Sequence, residues 1–462
     1  MNRNEYEYLI IGGGVAGATA AETIRQKKST ASVAVINDEP YALYSRVMLS
    51  KPSFFLGKIP FDQVWLKGAE WYKEHNIAFL GGKKAVGIDA INKTVSLAPY
   101  NNCDKTDSIY PHKGYALSRK GILENFRQTN KSAKNCNRSC YTGLDDGTKY
   151  GYKNLLIATG VCPRKWEVAG ADKKGVYYLR TLDDGKKIME AVKSAKRAIT
   201  IGGGFISFEM AELLKMAGLE TTAVIRESYF WEPTLDEASG RMIEKALKDR
   251  GVKITYKAEV SEISGKDEVE GIVLKDGRRI ECDMIICGIG AVCEAGWLKS
   301  SELKLNRGIL TNEYLETSLP DVWAAGDVAE FKDLILDETV QLGNWVNARE
   351  QGRIAGLNMI GEKTPFKFVS FYSTQGFGIS IAFIGDARPG PERIVIKRGS
   401  PEANSYARII ILNKGDRKEV EGATLINRTG EMSAIAKLIE SNIDVSQKLK
   451  ELADPNFALK SL

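Results

Sequence analysis

Two short apolar runs, each breaking into a triple glycine and then a small or apolar stretch, set the pattern of this chain. The first runs from Tyr8 to Ile11 and meets Gly12-Gly13-Gly14-Val15-Ala16-Gly17. The second runs from Ala198 to Ile201 and meets Gly202-Gly203-Gly204-Phe205-Ile206-Ser207. Such runs predict buried strands, the glycines predict tight turns, and the following stretches predict helices. Another apolar run follows each helix, Val33 to Ile36 and Thr221 to Ile225, so both regions read as strand–turn–helix–strand. From about Pro365 the pattern changes to strands at Phe368 to Ser373, Ile379 to Ile384, Arg393 to Lys397, Ala407 to Leu412 and Glu421 to Asn427. Two helices are expected after them, the second capped by Asp444.

The first region carries a specific chemistry. Gly12 permits the tight turn, Gly14 lets the backbone approach a pyrophosphate, and Gly17 lets helix and strand pack closely. Val15 and Ala16 open the helix, whose free N–H groups and partial positive charge suit phosphate. An acid at the end of the second strand, Asp38 or Glu39, completes a dinucleotide-binding pattern. The second region is an internal echo, with Ser207 in place of the third glycine. Two such motifs in one chain argue for two nucleotide cofactors.

Composition narrows the class. A chain of 462 residues suggests two or three domains, and 43% apolar with 27% charged residues is ordinary for a globular protein. No apolar run approaches a membrane span, and the N-terminus leads into the first strand without a signal peptide, so a cytoplasmic protein with no integral membrane association is expected. Seven cysteines, an odd and modest number, argue against an extracellular disulfide framework. The net charge of +6 is mild, and nothing points to nucleic acid.

The run Asp38-Glu39-Pro40 through Tyr44, Arg46 and Leu49-Ser50-Lys51 resembles the E-x-P-x-x-x-Y-x-R-x-x-L-S-K of FAD-dependent pyridine-nucleotide oxidoreductases, in the ferredoxin- and rubredoxin-reductase branch. That branch includes apoptosis-inducing factor and the flavin domain of nitrite reductase. The resemblance implies FAD on the first motif, with Asp38 on the ribose hydroxyls and Arg46 as a second contact to the same nucleotide. It places Lys51 beside the isoalloxazine, where a cation favours the reduced, anionic ring. It implies a nicotinamide nucleotide on the second motif, with Glu209 near the nicotinamide and paired with Lys51 across the domain interface.

Other signatures belong to the same resemblance. Ala158-Thr159-Gly160, followed by Pro163-Arg164, resembles the A-T-G-x-x-P-R crossing beneath FAD. Ile289-Gly290 resembles the end of the nicotinamide domain, and its usual R-P-N continuation is Val292-Cys293-Glu294 here. Thr317 through Gly326-Asp327 matches T-S-x-P-x-[IV]-[YW]-A-x-G-D, in which the aspartate meets the ribityl chain. The helix beginning near Trp345 resembles the one whose N-terminus points at the flavin ring, where Trp345 serves as a ring contact or as plain core. Arg226 occupies the place of the acid that holds the NAD ribose, which favours NADPH, although Glu227 follows directly.

Two departures matter. The family's disulfide reductases carry redox cysteines just after the second strand, but no cysteine precedes Cys103 here, so thiol chemistry at the flavin is not expected. Between about Tyr100 and Gly143 lies an insertion with Lys105, Lys113, Arg119, Lys120, Arg127, Lys131, Lys134 and Arg138 against Asp104, Asp107 and Glu124. Eight positive charges less three negative give +5, which reads as a solvated loop or as a docking patch for an acidic partner. Its Cys103, His112, Cys136 and Cys140 have zinc-ligand types at irregular spacing, and no metal site is expected.

The expected fold is α/β, with two Rossmann-like dinucleotide-binding domains and a small α+β C-terminal interface domain. Residues 1–165 and 290–364 form the FAD domain with its insertion, 166–289 the NAD(P) domain, and 365–462 the interface domain, which covers the flavin or makes a homodimer. The expected function is an oxidoreductase that takes a hydride from NAD(P)H and passes electrons to a small, acidic carrier of the rubredoxin or ferredoxin type. An NAD(P)H oxidase, a quinone reductase and a redox-gated signalling flavoprotein are the alternatives.

Overall fold

The computed structural model describes residues 4–55, 57, 59–99 and 147–462. The insertion, with its basic residues and its Cys103, His112, Cys136 and Cys140, lies outside the described residues. The chain divides into two compact units. The first comprises Met1–Ser45, Leu56–Cys162 and Val292–Lys367, and the second Arg46–Phe55, Pro163–Ala291 and Phe368–Leu462.

In the first unit, β1 (Glu5–Ile11), α1 (Val15–Lys27) and β2 (Val33–Asn37) form a parallel β–α–β crossover. With β3 (Ile77–Gly81), β4 (Lys83–Asp89), β5 (Thr94–Pro99) and β6 (Lys149–Ile157) they build a sheet of order β3-β2-β1-β6-β5-β4. A late strand, Val322–Ala324, adds to β6 in parallel. The register sets Leu9 between Ala34 and Leu155, and Ile11 between Ile36 and Ile157. These central strands are continuously apolar because both faces are covered. Leu9, Ile11, Leu155 and Ile157 share a core with Val322, Ala324, Val328 and Ala329.

Helix α1 packs closely along the Trp345–Met359 helix. The approach depends on small residues. A Cβ on Gly352 would stand 2.2 Å from the Ala16 carbonyl oxygen, and one on Gly356 would stand 3.0 Å from that of Ala20. No side chain fits at the first position.

The second unit repeats the crossover. Its elements are β7 (Val176–Tyr177), α2 (Leu182–Ser194), β8 (Arg197–Ile201), α3 (Phe205–Met216), β9 (Glu220–Val224), α4 (Glu237–Asp249), β10 (Lys253–Thr255) and β11 (Met284–Cys287). The parallel sheet runs β7-β11-β8-β9-β10, with Ile199 in register between Thr222 and Ile285.

The same unit holds an antiparallel sheet of β12 (Phe371–Gly376), β13 (Ile379–Gly385), β14 (Arg393–Ser400), β15 (Ser405–Lys414) and β16 (Arg417–Ile426), in the order β12-β13-β16-β15-β14. Ile381, Phe383 and Ile426 from this sheet, with Phe377 from its first turn, share a core with Phe208 and Phe230. The expected α/β class, with two Rossmann-like folds and an antiparallel C-terminal sheet, is therefore what forms. Buried Arg398 ties down the tail by pairing with Glu431 and donating to the Leu452 and Phe457 carbonyls at 3.2 and 2.6 Å.

One expectation is corrected. Asp444 caps no helix, because the last two helices are Met432–Ser441 and Leu449–Ala453, whose N-caps are Glu431 and Lys448. Its carboxylate instead accepts from the Ser446 hydroxyl and the Lys418 and Ser446 amides, which hold its pKa down to about 2. The signal was a local side-chain-to-backbone turn, which competes with capping for the same residue types.

Replacing Gly352 with alanine is expected to force the two packed helices apart and to cost about 1–3 kcal/mol. A denaturant midpoint unchanged from the parent would contradict this packing.

Candidate functional site

Each triple glycine sits where a strand hands over to a helix. Gly12 has φ +112°, and a Cβ there would stand 2.2 Å from the Ala158 carbonyl oxygen. A Cβ on Gly17 would stand 2.0 Å from the Gly12 carbonyl oxygen, so α1 starts in contact with the end of β1. Gly13 is held by its amide donating to Asn37 Oδ1 at 3.0 Å. Gly14 differs: it has ordinary backbone angles, and its Cβ position has nothing within 4 Å.

The second turn has the same plan. Gly202 has φ +110°, and its Cβ would stand 2.4 Å from the Gly288 carbonyl oxygen, while Gly204 opens onto space with nothing within 4 Å. Ser207 stands where the first motif has its third glycine, and its hydroxyl is fully buried and donates to the Ile201 carbonyl at 2.8 Å. The room comes from the facing strand end, where a Cβ on Gly288 would stand 2.8 Å from Ser207 Oγ.

The helix N-termini confirm the contrast. At the starts of α1 and α3 the caps are Gly14 and Gly204, with no side-chain cap and no acid in the first turn. Three other helices are capped by side chains: α2 by a Thr181–Asp184 capping box, α4 by Asp236, and the Trp345–Met359 helix by Asn344. Uncapped amides facing open space suit an anionic ligand.

A third cluster lies wholly within the second unit. Glu209, on α3, is buried. Its Oε1 pairs with Lys51 Nζ and accepts from Thr374 Oγ1 at 2.5 Å, while its Oε2 accepts from the Ser50 hydroxyl. Lys51 and Glu209, expected to pair across a domain interface, thus meet inside one compact unit, because residues Arg46–Phe55 belong to the second unit. That segment lies over α2, where a Cβ on Gly185 would stand 3.6 and 3.8 Å from Leu49 and Phe55, and Arg46 donates to the Arg180 carbonyl at 2.8 Å. Ser50 and Thr374 were missed by sequence reasoning. Thr374 is 165 residues from its partner, and no spacing rule links them.

Asp38 is exposed and accepts from the Glu39 amide, whereas Glu39 is buried and accepts from the Tyr44 hydroxyl at 2.8 Å. Ala158 donates to the Ile11 carbonyl at 2.7 Å, Thr159 is exposed and Gly160 has φ +71°. Exposed Arg164 donates through its amide to the Gly290 carbonyl at 2.9 Å. Gly326, at φ +80°, stands over α1, where its Cβ would be 3.1 Å from that of Ala16. Half-buried Asp327 lies beside Gly343, and half-buried Trp345 opens its helix. Val15, Phe205 and Ile206 are half-buried at the helix starts, and Phe205 meets Tyr372 and Trp231, each at 5.0 Å.

Arg226 is exposed and paired with Glu227 Oε1 at 2.8 Å. The other oxygen of Glu227 lies 3.8 Å from the Gly203 Cβ position, beside the second glycine turn. Arg226 extends into solvent. The acid therefore faces the turn.

Burial pushes the thiols of Cys282 and Cys287 up to about 12 and that of Cys293 to about 11, so these three are protonated at neutral pH and poor nucleophiles. Among the described residues no group of three or more His, Cys, Asp or Glu side chains could hold a metal, and no helix is long and apolar enough to cross a membrane.

Residues 6–352 match the family described as Pyridine nucleotide-disulphide oxidoreductase. The chain is 26% identical over 447 residues to Nitrite reductase [NAD(P)H] of Bacillus subtilis (strain 168), covering 96% of this chain but 48% of that protein. The chain thus spans about half the length of that relative. It is also 26% identical to the biphenyl dioxygenase system ferredoxin–NAD(+) reductase component of Paraburkholderia xenovorans (strain LB400), covering 98% and 97% of the two chains. Among solved structures, a putidaredoxin reductase in covalent complex with putidaredoxin superposes with a TM-score of 0.82 at 23% identity, covering 99% and 98%.

The two outer glycines of the first turn are expected to respond oppositely to alanine. Gly12→Ala meets both a left-handed φ and a carbonyl, and should cost about 3 kcal/mol or more. Gly14→Ala meets neither and should leave the denaturation midpoint unchanged. Equal losses at the two positions would contradict the geometry.

Proposed function

The chain belongs to the pyridine nucleotide-disulphide oxidoreductase family, and from that premise we propose a ferredoxin reductase-like activity: FAD on the first glycine turn, NADH on the second, and a small electron-carrier protein as acceptor. The observation that carries this reading is the pair of uncapped helix N-termini, each behind a glycine that opens onto space. α2, α4 and the Trp345–Met359 helix are by contrast closed by side-chain caps.

The residues of the first unit fit FAD. Gly14 leaves room for a pyrophosphate, and Gly326 keeps the floor beside α1 free of side chains. Asn347 Oδ1 and Gln351 Nε2 are buried without a hydrogen-bond partner, so polar capacity is held in reserve on the Trp345–Met359 helix. Glu39, whose carboxylate is fixed by Tyr44, is better ordered for ribose hydroxyls than exposed Asp38. FAD would supply the acceptance of a hydride and the release of electrons. The protein would bind, orient and tune: α1 and α3 holding phosphates, and Lys51 offering a cation that favours the negative charge gained on reduction.

Sequence favoured NADPH through Arg226. The turn-facing carboxylate of Glu227, which suits a 2′-hydroxyl and repels a 2′-phosphate, supports NADH instead. The relative from Paraburkholderia xenovorans, named for NAD(+) and ferredoxin, agrees with it. Electrons then pass to an external acceptor, a reading supported by the absence of a cysteine before Cys103 and by the buried, protonated thiols of Cys282 and Cys287.

Three outcomes test the reading. Gly14→Val should leave the fold intact and lose FAD, judged by the yellow chromophore, whereas Gly204→Val should keep FAD and lose its bleaching by NADH. Glu227→Ala should narrow the NADH-over-NADPH preference about tenfold or more, in line with a charged group worth roughly 1.5–3 kcal/mol. With oxygen, a quinone and a ferredoxin compared as acceptors, the carrier protein should be reduced fastest. Equal rates with oxygen alone would make the protein an oxidase.

A further inference from the structure

We propose that Thr374 and Ser50 are positioning residues that lock the Lys51–Glu209 pair in one orientation. The proposal rests on the functional reading above, in which Lys51 is the cation offered to the flavin. Glu209 is 8% exposed, and its carboxylate faces three donors rather than one. Ser50 takes Oε2, so Oε1 is left to Lys51 and Thr374. The Thr374 hydroxyl oxygen also lies 3.5 Å from Lys51 Nζ, so this side chain touches both members of the pair.

The backbone is built to bring Thr374 there. On β12 the inward positions are Thr374 and Gly376. A Cβ on Gly376 would stand 2.8 Å from the Phe208 ring, so only glycine lets the strand lie this close to α3. One step on, the Phe377 amide donates to Glu212, which lies three residues after Glu209 and on the same helix face. Two carboxylates of α3 are thus gripped by one strand and the residue after it.

The physical consequence follows from rotamer freedom. A Lys–Glu pair alone allows both side chains several arrangements, and a long ammonium side chain gains entropy by leaving. Donors on both carboxylate oxygens remove the freedom of Glu209 to turn, and Thr374 closes one side of the ammonium. Removing one hydroxyl leaves a buried acceptor short of a donor and frees the lysine. Ser50, adjacent to Lys51, ties the same segment from the opposite oxygen.

The test uses the full chain as purified, with Thr374→Val, Thr374→Ser, Ser50→Ala and Lys51→Gln. Thr374→Val should slow bleaching of the bound flavin by NADH about tenfold. It should also shift the flavin midpoint potential to a more negative value and raise the labelling rate of Lys51 by an amine-selective reagent, read by mass spectrometry. Thr374→Ser should restore all three, and Ser50→Ala should change them in the same direction. In a Lys51→Gln background, Thr374→Val should add nothing, because residues acting through one group are not additive. Unchanged potential and labelling in both Thr374→Val and Ser50→Ala, or full additivity with Lys51→Gln, would overturn the proposal. A parent protein that carries no FAD, or that NADH and NADPH leave unbleached, would instead overturn the functional reading. Lys51 labelling needs no cofactor and still decides the positioning role.

Discussion

Backbone touching backbone is the constraint on which this molecule depends. At the end of each central strand a carbonyl of a neighbouring strand's exit stands where a side chain would otherwise be, 2.2 Å from the Gly12 Cβ position and 2.4 Å from that of Gly202. Only glycine can turn there, with φ values of +112° and +110°. This contact aims the following helix so that its first amides emerge uncapped beside an open glycine. The same economy recurs at Gly352 against Ala16 and at Gly376 against Phe208. Helix starts, helix pairs and the strand that grips α3 are all positioned by missing side chains.

The two halves reach one geometry by different residues. In the first turn Gly17 supplies the space between helix and strand. In the second, Ser207 keeps its hydroxyl by donating to Ile201, and Gly288 on the facing strand yields the room. A substitution in the motif is therefore compensated by a glycine 81 residues later, in a segment that the motif does not include. Packing here is a property of the pair of positions.

That division marks how much was legible in the sequence. The glycine turns, both crossovers, the C-terminal strands and the Lys51–Glu209 partnership were readable, because sterics at Gly12 and Gly202 and apolar runs act locally, and the resemblance supplied the pair. What was not readable depends on where side chains point or on contacts far apart in the chain. Arg226 and Glu227 are neighbours of opposite charge, and only their orientation tells which faces the turn. Asp38 and Glu39 are adjacent acids, separated by burial and by the Tyr44 hydroxyl. Thr374 reaches Glu209 through a sheet edge that no helical or strand period could have announced. Asp444 carried a capping residue's chemistry but used it on a turn.

The central claim is that the two open glycine turns serve two nucleotides and that electrons enter through the second. The most direct measurement is anaerobic titration of the purified chain with NADH while the visible spectrum is followed. The account requires a bound flavin whose absorbance is bleached by about one equivalent of NADH, since a hydride carries two electrons and FAD accepts two. A protein that holds no flavin, or a flavin that neither NADH nor NADPH bleaches, would contradict it.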